Sequence, residues 1–292
     1  MEPRDIRHEF AEVNGIRLHY AAAGAGRLML FLHGFPEFWY AWRKQLLEFG
    51  RDHLAVAPDQ RGYNLSSKPR EVSSYAIPHL IADIRAFAEK FTQAPFVLVA
   101  HDWGGMAAWA FAIRYPERLR KLIILNTPHP ATFARELRHN PAQQRASAYF
   151  KRFRRPWTPW LLSLFRCAAL DHNILKPLIR AGHFTEADRA EYLNAWQQPG
   201  ALRGGLCWYR AAPLGSGEEM ENYWKREFGP AVVRVPTLVL YGERDPFLLP
   251  GGLDGIEQFV PDVRIHRYPD ATHWIAHEMP EEVNRRIREF IA

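Results

Sequence analysis

Cysteine is nearly absent from this sequence: Cys167 and Cys207 are the only two in 292 residues. A disulfide-stapled scaffold and a zinc site built on thiolates are therefore not expected, and an oxidising compartment is not required. Long apolar runs are absent too. No stretch reaches the roughly 18 apolar residues that a spanning helix needs. The opening residues, MEPRDIRHEF, are charged and lack the apolar core of a signal peptide. The expectation is a cytoplasmic protein without a membrane span. Clustered metal ligands and nucleic-acid motifs are missing as well, so neither metal, cofactor nor nucleic acid is expected. What remains is 47% hydrophobic and 24% charged, the composition of a globular protein rather than a fibre or a disordered tail.

Acidic residues are short in one region only. Residues 129–230 hold 15 Lys/Arg against 9 Asp/Glu, while the rest of the chain holds 23 of each. The whole net charge of +6 thus lies in the middle. Such a patch can steer anionic substrates or lipid. Arginines scattered through helical sequence are first read as a solvated surface.

The chain before residue 129 alternates short apolar runs with helical patterns. Residues 10–13 and 15–23 predict a hairpin; 28–32, 53–57, 96–100 and 122–125 predict buried strands. Residues 42–49, 77–91 and 104–114 predict the helices between them. Alternation of this kind gives a parallel sheet covered on both faces. From 129 the strand signal stops, and 141–153, 159–169 and 186–197 look helical. Strands return at 237–241 and 263–268. The expected architecture is a core of 1–128 and 231–292, interrupted by a helical insertion at 129–230. The aromatic run at 157–165 is too short to span a membrane and is read as a core helix or pocket wall in preference to a membrane-surface contact.

The strand at 96–100 runs into His101-Asp102-Trp103-Gly104-Gly105 and then a helix. This is a nucleophile turn, with Ala100 and Gly104 as the small residues that a sharp strand-to-helix bend requires. Asp102 stands where serine is usual. Capping of the following helix is its bland alternative. Three features favour the nucleophile. His33-Gly34-Phe35-Pro36 follows an earlier strand, where a loop can supply the Phe35 N–H to an oxyanion hole whose other donor is the Trp103 N–H. Asp245, in Gly242-Glu243-Arg244-Asp245, follows the strand at 237–241 and suits an acid that orients a histidine. His273 follows the last strand. The order nucleophile, acid, histidine is that of α/β-hydrolases. An acid after the strand at 122–125 is the rival position, but that loop reads Asn126-Thr127-Pro128-His129, without a carboxylate until Glu136. Of the other histidines, His266 is read as structural, His277 as a solvated neighbour of the base, His101 as a packing or hydrogen-bonding group, and His33 as shaping its own loop.

These blocks resemble the epoxide hydrolases of the α/β-hydrolase superfamily, bacterial members included. The resemblance is carried by His33-Gly34-Phe35-Pro36-Glu37-Phe38-Trp39-Tyr40-Ala41-Trp42-Arg43, Asp59-Gln60-Arg61-Gly62-Tyr63, the turn at Asp102, Asn126-Thr127-Pro128-His129-Pro130 and Trp208-Tyr209-Arg210. It runs from about residue 10 to the end. It implies an α/β fold: a mostly parallel eight-stranded sheet flanked by helices, with a helical cap between strands six and seven. It also implies a cis Phe35–Pro36 bond and two cap tyrosines. Tyr209 matches one of these by motif, and Tyr149 the other by its spacing from Asp102. Where relatives usually continue Gly-x-Ser after Arg-Gly-Tyr, this chain has Asn64-Leu65-Ser66, a departure at the pocket edge.

The residue types suggest the reaction. A carboxylate attacking an acyl carbon would form an anhydride, whereas attack at an sp³ carbon forms an ester. An epoxide oxygen leaves as an alkoxide and needs an acid, which two tyrosines supply. The expected substrate is a small apolar epoxide, opened with water to a vicinal diol. Haloalkane dehalogenases often carry Asn at the position of Phe35, and haloacetate dehalogenases carry Arg at the positions of Trp103 and Met106. Dehalogenation and a non-catalytic binding protein are the alternatives. Phe35, Trp39, Trp103, Phe150, Trp208, Phe247 and Trp274 are candidate pocket-lining residues. Monomer and homodimer both stay open.

Overall fold

A computed structural model describes residues 6–292. The opening hairpin pairs β1 (Arg7–Val13) with β2 (Ile16–Ala23). Then come β3 (Leu28–Leu32), α1 (Arg43–Phe49), β4 (Leu54–Pro58), α2 (Ile77–Ala88), β5 (Phe96–His101), α3 (Asp102–Arg114) and β6 (Leu119–Leu125). Eight helices intervene: α4 (Pro130–His139), α5 (Pro141–Ala146), α6 (Tyr149–Phe153), α7 (Thr158–Leu170), α8 (Lys176–Arg180), α9 (Glu186–Gln197), α10 (Ala201–Ala211) and α11 (Gly217–Phe228). The chain returns with β7 (Thr237–Gly242), β8 (Val263–Tyr268), α12 (Ile275–Glu278) and α13 (Pro280–Ile291).

The eight strands form one sheet in the order β1-β2-β4-β3-β5-β6-β7-β8. β2 is antiparallel to both its neighbours, and β4 to β8 run parallel with β3. The central strands β3 and β5 are buried throughout, as continuous apolar runs covered on both faces must be. Alternate residues feed two cores. Leu30, Leu98 and Ile124 pack with α2 and α3 on one face, while Phe31, Val99 and Ile123 meet α1 and α13 on the other. Neighbouring parallel strands end at the same edge, which brings the loops after β3, β5, β7 and β8 together.

Two helical expectations need correction. The pattern at 141–153 is not one helix. It breaks at Ser147, whose backbone leaves helical geometry at φ −87°, ψ 1°, and the chain resumes as α6 at Tyr149. The run at 157–165 is not a core helix either. Trp157, Trp160, Leu161 and Phe165 are 57%, 65%, 51% and 88% exposed. The backbone of α7 departs from helix at Leu164–Cys167, where Phe165, Arg166 and Cys167 take positive φ. Thr158, Leu162, Cys167 and Leu170 are the buried residues of α7. The two cysteines are buried and unbonded to each other.

Candidate active site

Asp102 sits at the start of α3 with φ +51°, a left-handed conformation that is costly for any residue with a Cβ. The sharp turn needs small neighbours. A Cβ on Gly104 would strike the carbonyl oxygens of Leu32 and His33, and one on Gly34 would strike Asp102 itself. The loop after β3 therefore lies directly against the carboxylate. Its Phe35 N–H donates to Asp102 Oδ1 at 2.8 Å. Trp103, second in α3, carries one of the N–H groups that a helix start leaves without an intrahelical partner. The Phe35–Pro36 bond is cis.

His273, after β8, lies with Nε2 3.7 Å from Asp102 Oδ2. Its Nδ1–H donates to Asp245 Oδ2 at 2.6 Å. Asp245, in the loop after β7, is buried, with every oxygen occupied. Oδ1 accepts from the Phe247 and Leu248 N–H groups at 2.8 and 2.9 Å, and Oδ2 accepts also from Asn126 at 2.8 Å. Burial opposes a charge on either partner. For His273, the Asp245 charge and hydrogen bond outweigh burial, with Asp102 adding to them, and push it up to about 9. For Asp245, the His273 charge and the bound N–H groups outweigh burial and hold it below the usual carboxylate range.

Tyr149 on α6 and Tyr209 on α10 face Asp102 across a cavity of about 890 Å³. Burial, reinforced by Asp102, pushes both phenols well above their ordinary value, so both remain proton donors at neutral pH. Aromatic rings fix them. Phe150, Phe153 and Phe247 lie 4.7, 5.1 and 5.6 Å from the Tyr149 ring, and Trp103 and Phe35 lie 4.8 and 5.5 Å from that of Tyr209.

Of the residues expected to line the pocket, Phe35, Phe247 and Trp274 do so. Trp103 and Phe150 instead line a pocket of about 30 Å³ on the other side of the tyrosines. Trp208 is buried behind Trp103, its indole N–H donating to the Arg61 carbonyl at 2.9 Å. Trp39 lies in a separate groove against His8. Trp39 and Trp208 do not reach the cavity wall. The 157–165 run supplies the pocket wall that is its other reading, through Trp157, Leu161 and Leu162, and unforeseen lining comes from Arg152 on α6 and Arg155 in the loop after it.

The site also contains groups that motif reading missed. Glu37 is buried and ionised. Burial alone would raise its carboxyl, but His277 and His101 facing it hold it well below the usual range. Its Oε1 accepts from His277 at 2.6 Å and from Tyr192 at 2.9 Å, and its Oε2 faces His101 at 3.1 Å. His101 also donates to the His273 carbonyl at 2.9 Å. One carboxylate thus ties the Phe35 loop to the residue before Asp102 and to the loop of His273. His277 is accordingly not a solvated neighbour; α12 turns it inward onto Glu37. Asn126, in the loop that lacks a carboxylate, supports the acid of the next strand instead and clasps Gly242 through its N–H and carbonyl. Its buried position at a strand end was the available signal. Among the described residues, no group of three or more His, Cys, Asp or Glu is arranged to hold a metal ion.

A carboxylate at the sharp strand-to-helix turn after β5, with an acid–histidine pair from the loops after β7 and β8, defines a hydrolase site on a mostly parallel sheet. The chain belongs to the α/β-hydrolase fold family, whose model matches residues 27–280. It is 39% identical to the AB hydrolase superfamily protein YfhM of Bacillus subtilis, over 98% of both chains. It is 37% identical to epoxide hydrolase 4 of Homo sapiens, over 95% of this chain and 76% of that one. An epoxide hydrolase of Bacillus megaterium, solved with an inhibitor, superposes with a TM-score of 0.92 at 40% identity, over 97% of this chain and 99% of that one. No helix among the described residues is long and apolar enough to cross a membrane.

Proposed function

We propose that this enzyme hydrolyses epoxides to vicinal diols through an ester on Asp102. The observation that carries the reading is the opposition of one free carboxylate oxygen and two phenols across an apolar cavity. The Phe35 N–H occupies Oδ1, so Oδ2 attacks the epoxide carbon. The ring C–O bond breaks as the Oδ2–carbon bond forms. The departing oxygen takes a proton from Tyr149 or Tyr209, with the other phenol donating a hydrogen bond. In the second half, His273 removes a proton from water, and the resulting hydroxide adds to Asp102 Cγ. Negative charge develops on Oδ1, where the Phe35 and Trp103 N–H groups stabilise it. Collapse expels Oδ2 as the second hydroxyl of the diol, protonated by the His273 imidazolium; the solvent oxygen stays in Asp102, and the proton of the new carboxyl returns to the tyrosine. Asp245 orients His273 and stabilises the imidazolium.

Esterification removes the Asp102 charge, one of the influences that raise His273. The histidine is thereby shifted towards its neutral, basic form when a base is needed. Residues 129–230 act in this reading as a cap on the core of 1–128 and 231–292. A single turnover in heavy-oxygen water should release unlabelled diol and leave the label in the peptide bearing Asp102. Fully labelled first-turnover diol would mean direct attack by water. A panel of styrene oxide and bromoalkanes separates diol formation from halide release, the outcome expected of a dehalogenase.

A further inference from the structure

The basic excess of the middle segment is concentrated beside an exposed apolar surface. Residues 137–185 hold nine Lys/Arg and one acid, Asp171. Arg138 pairs with Glu221, and Lys176 and Arg189 pair with Asp171. Lys151, Arg152, Arg154, Arg155 and Arg166 form no ion pair among the described residues. Between them lie Trp157, Trp160, Leu161 and Phe165, each more than half exposed. Large apolar side chains that are contiguous and rimmed by polar groups mark an interaction surface, whereas scattered ones do not. The positive φ values at Phe165, Arg166 and Cys167 bear on the same point. A regular helix would have continued its alternation of faces. Here Cys167 is buried while Phe165 and Arg166 stay in solvent.

We propose that α7 and the cationic turn before it dock on an anionic phospholipid surface. Charge complementarity selects this occupant. Aromatic side chains that can settle at headgroup depth, rimmed by unpaired cations, fit a bilayer of negative surface potential. The patch is also continuous with the cavity. Trp157 and Leu161 line its wall and belong to the exposed surface, and Arg152 and Arg155 stand beside them. An apolar substrate dissolved in the bilayer would then meet the cavity mouth without crossing bulk water. The proposal gives the basic excess a partner whether or not the epoxide reading holds.

Co-sedimentation with vesicles tests it in the absence of any epoxide, so its failure is separable from failure of the proposed reaction. The protein should sediment with vesicles of phosphatidylcholine mixed with phosphatidylglycerol and far less with phosphatidylcholine alone. Added salt should release it. Trp160→Ala with Phe165→Ala should lower partitioning by about tenfold or more, the order expected for removing two large apolar side chains from an interface. Lys151→Gln with Arg166→Gln, which removes two of the five unpaired cations, should weaken the preference for the anionic vesicles. None of these four residues lines the cavity, so turnover of a water-soluble epoxide should be unchanged and reports intact folding. The proposal is overturned if the wild type ignores the anionic vesicles or if the aromatic double variant binds them equally. It is also overturned if sedimentation velocity shows a dimer that the aromatic variant dissociates, which would assign the patch to a second copy of the chain.

Discussion

Asp245, buried behind His273, and Tyr149, on the cavity wall, are held by different physics. Asp245 accepts four hydrogen bonds, two of them from backbone N–H groups, in the loop after β7. Tyr149 is held by the edges and faces of Phe150, Phe153 and Phe247. The sheet edge therefore fixes charged groups by directional bonds with low tolerance for displacement. The helical layer fixes neutral donors by shape. A buried charge needs every partner satisfied; a phenol needs only to be pointed. The two regions also differ outwardly. Exposed large apolar residues cluster on α7, whereas the loops carrying the charged groups are covered.

If the charged side carries the covalent chemistry, its loss should cost most. Asp102→Ala should lower turnover by about 10⁴-fold or more, with the thermal transition retained. His273→Gln keeps the attacking carboxylate and removes the base. Intact-mass spectrometry should show it heavier by one substrate on the Asp102 peptide. Accumulation in His277→Gln but not in His273→Gln would move the base one helical turn.

On the neutral side, Tyr149→Phe and Tyr209→Phe should each slow ester formation, and the double variant should nearly stop it. A general acid is worth about 10²–10⁴-fold. Rapid-quench measurement should place the loss in ester formation, leaving ester hydrolysis untouched. Unchanged ester formation in Tyr149→Phe would pass its role to another residue of the helical layer.

The pH dependence of stability sharpens the contrast, because only the charged side is linked to protons near neutrality. His273 titrates at about 9 in the folded chain, above its ordinary 6.5. Its pairing with Asp245 is therefore fully stabilising below about pH 6.5 and is lost as pH rises through about 9. The shift corresponds to on the order of 3 kcal/mol. Melting temperature should fall across that window in the wild type and much less in Asp245→Asn. At the acid end, the lowered Asp245 contributes stability that disappears as its carboxylate protonates.

The smallest effect should come from the support of the acid. Asn126→Ala removes a donor to Asp245 and unpairs Gly242, at a cost of about 1–3 kcal/mol in denaturant unfolding. Ester hydrolysis should slow by about tenfold through a less well oriented His273, while ester formation should stay near normal.

Much of the core side was open to reading in the sequence. Strands such as Leu28–Leu32 and Thr237–Gly242 follow from apolar runs ended by loop residues, and the turn at Asp102 follows from small residues flanking a reactive one. These are local signals, because a buried strand and a tight turn constrain the residues that form them. Tyr209 was readable only through a resemblance to known hydrolases, and Tyr149 only through its distance from Asp102. Nothing in the sequence around Trp39 or Trp208 separates a ring that lines a cavity from one that fills the core.

By itself, then, the amino-acid order determined the alternation of strand and helix, the interruption after residue 128, and the loops that end in Asp102, Asp245 and His273. Each depends on chain neighbours a few residues apart. Tertiary structure alone decided that Glu37 gathers His101, His277 and Tyr192 from three separate segments, and that Asn126 serves an acid 119 positions later. It also decided that an apolar stretch on α7 faces outward. Apolar character states only that burial is favourable, and whether a surface exists to bury against depends on where every other element has packed.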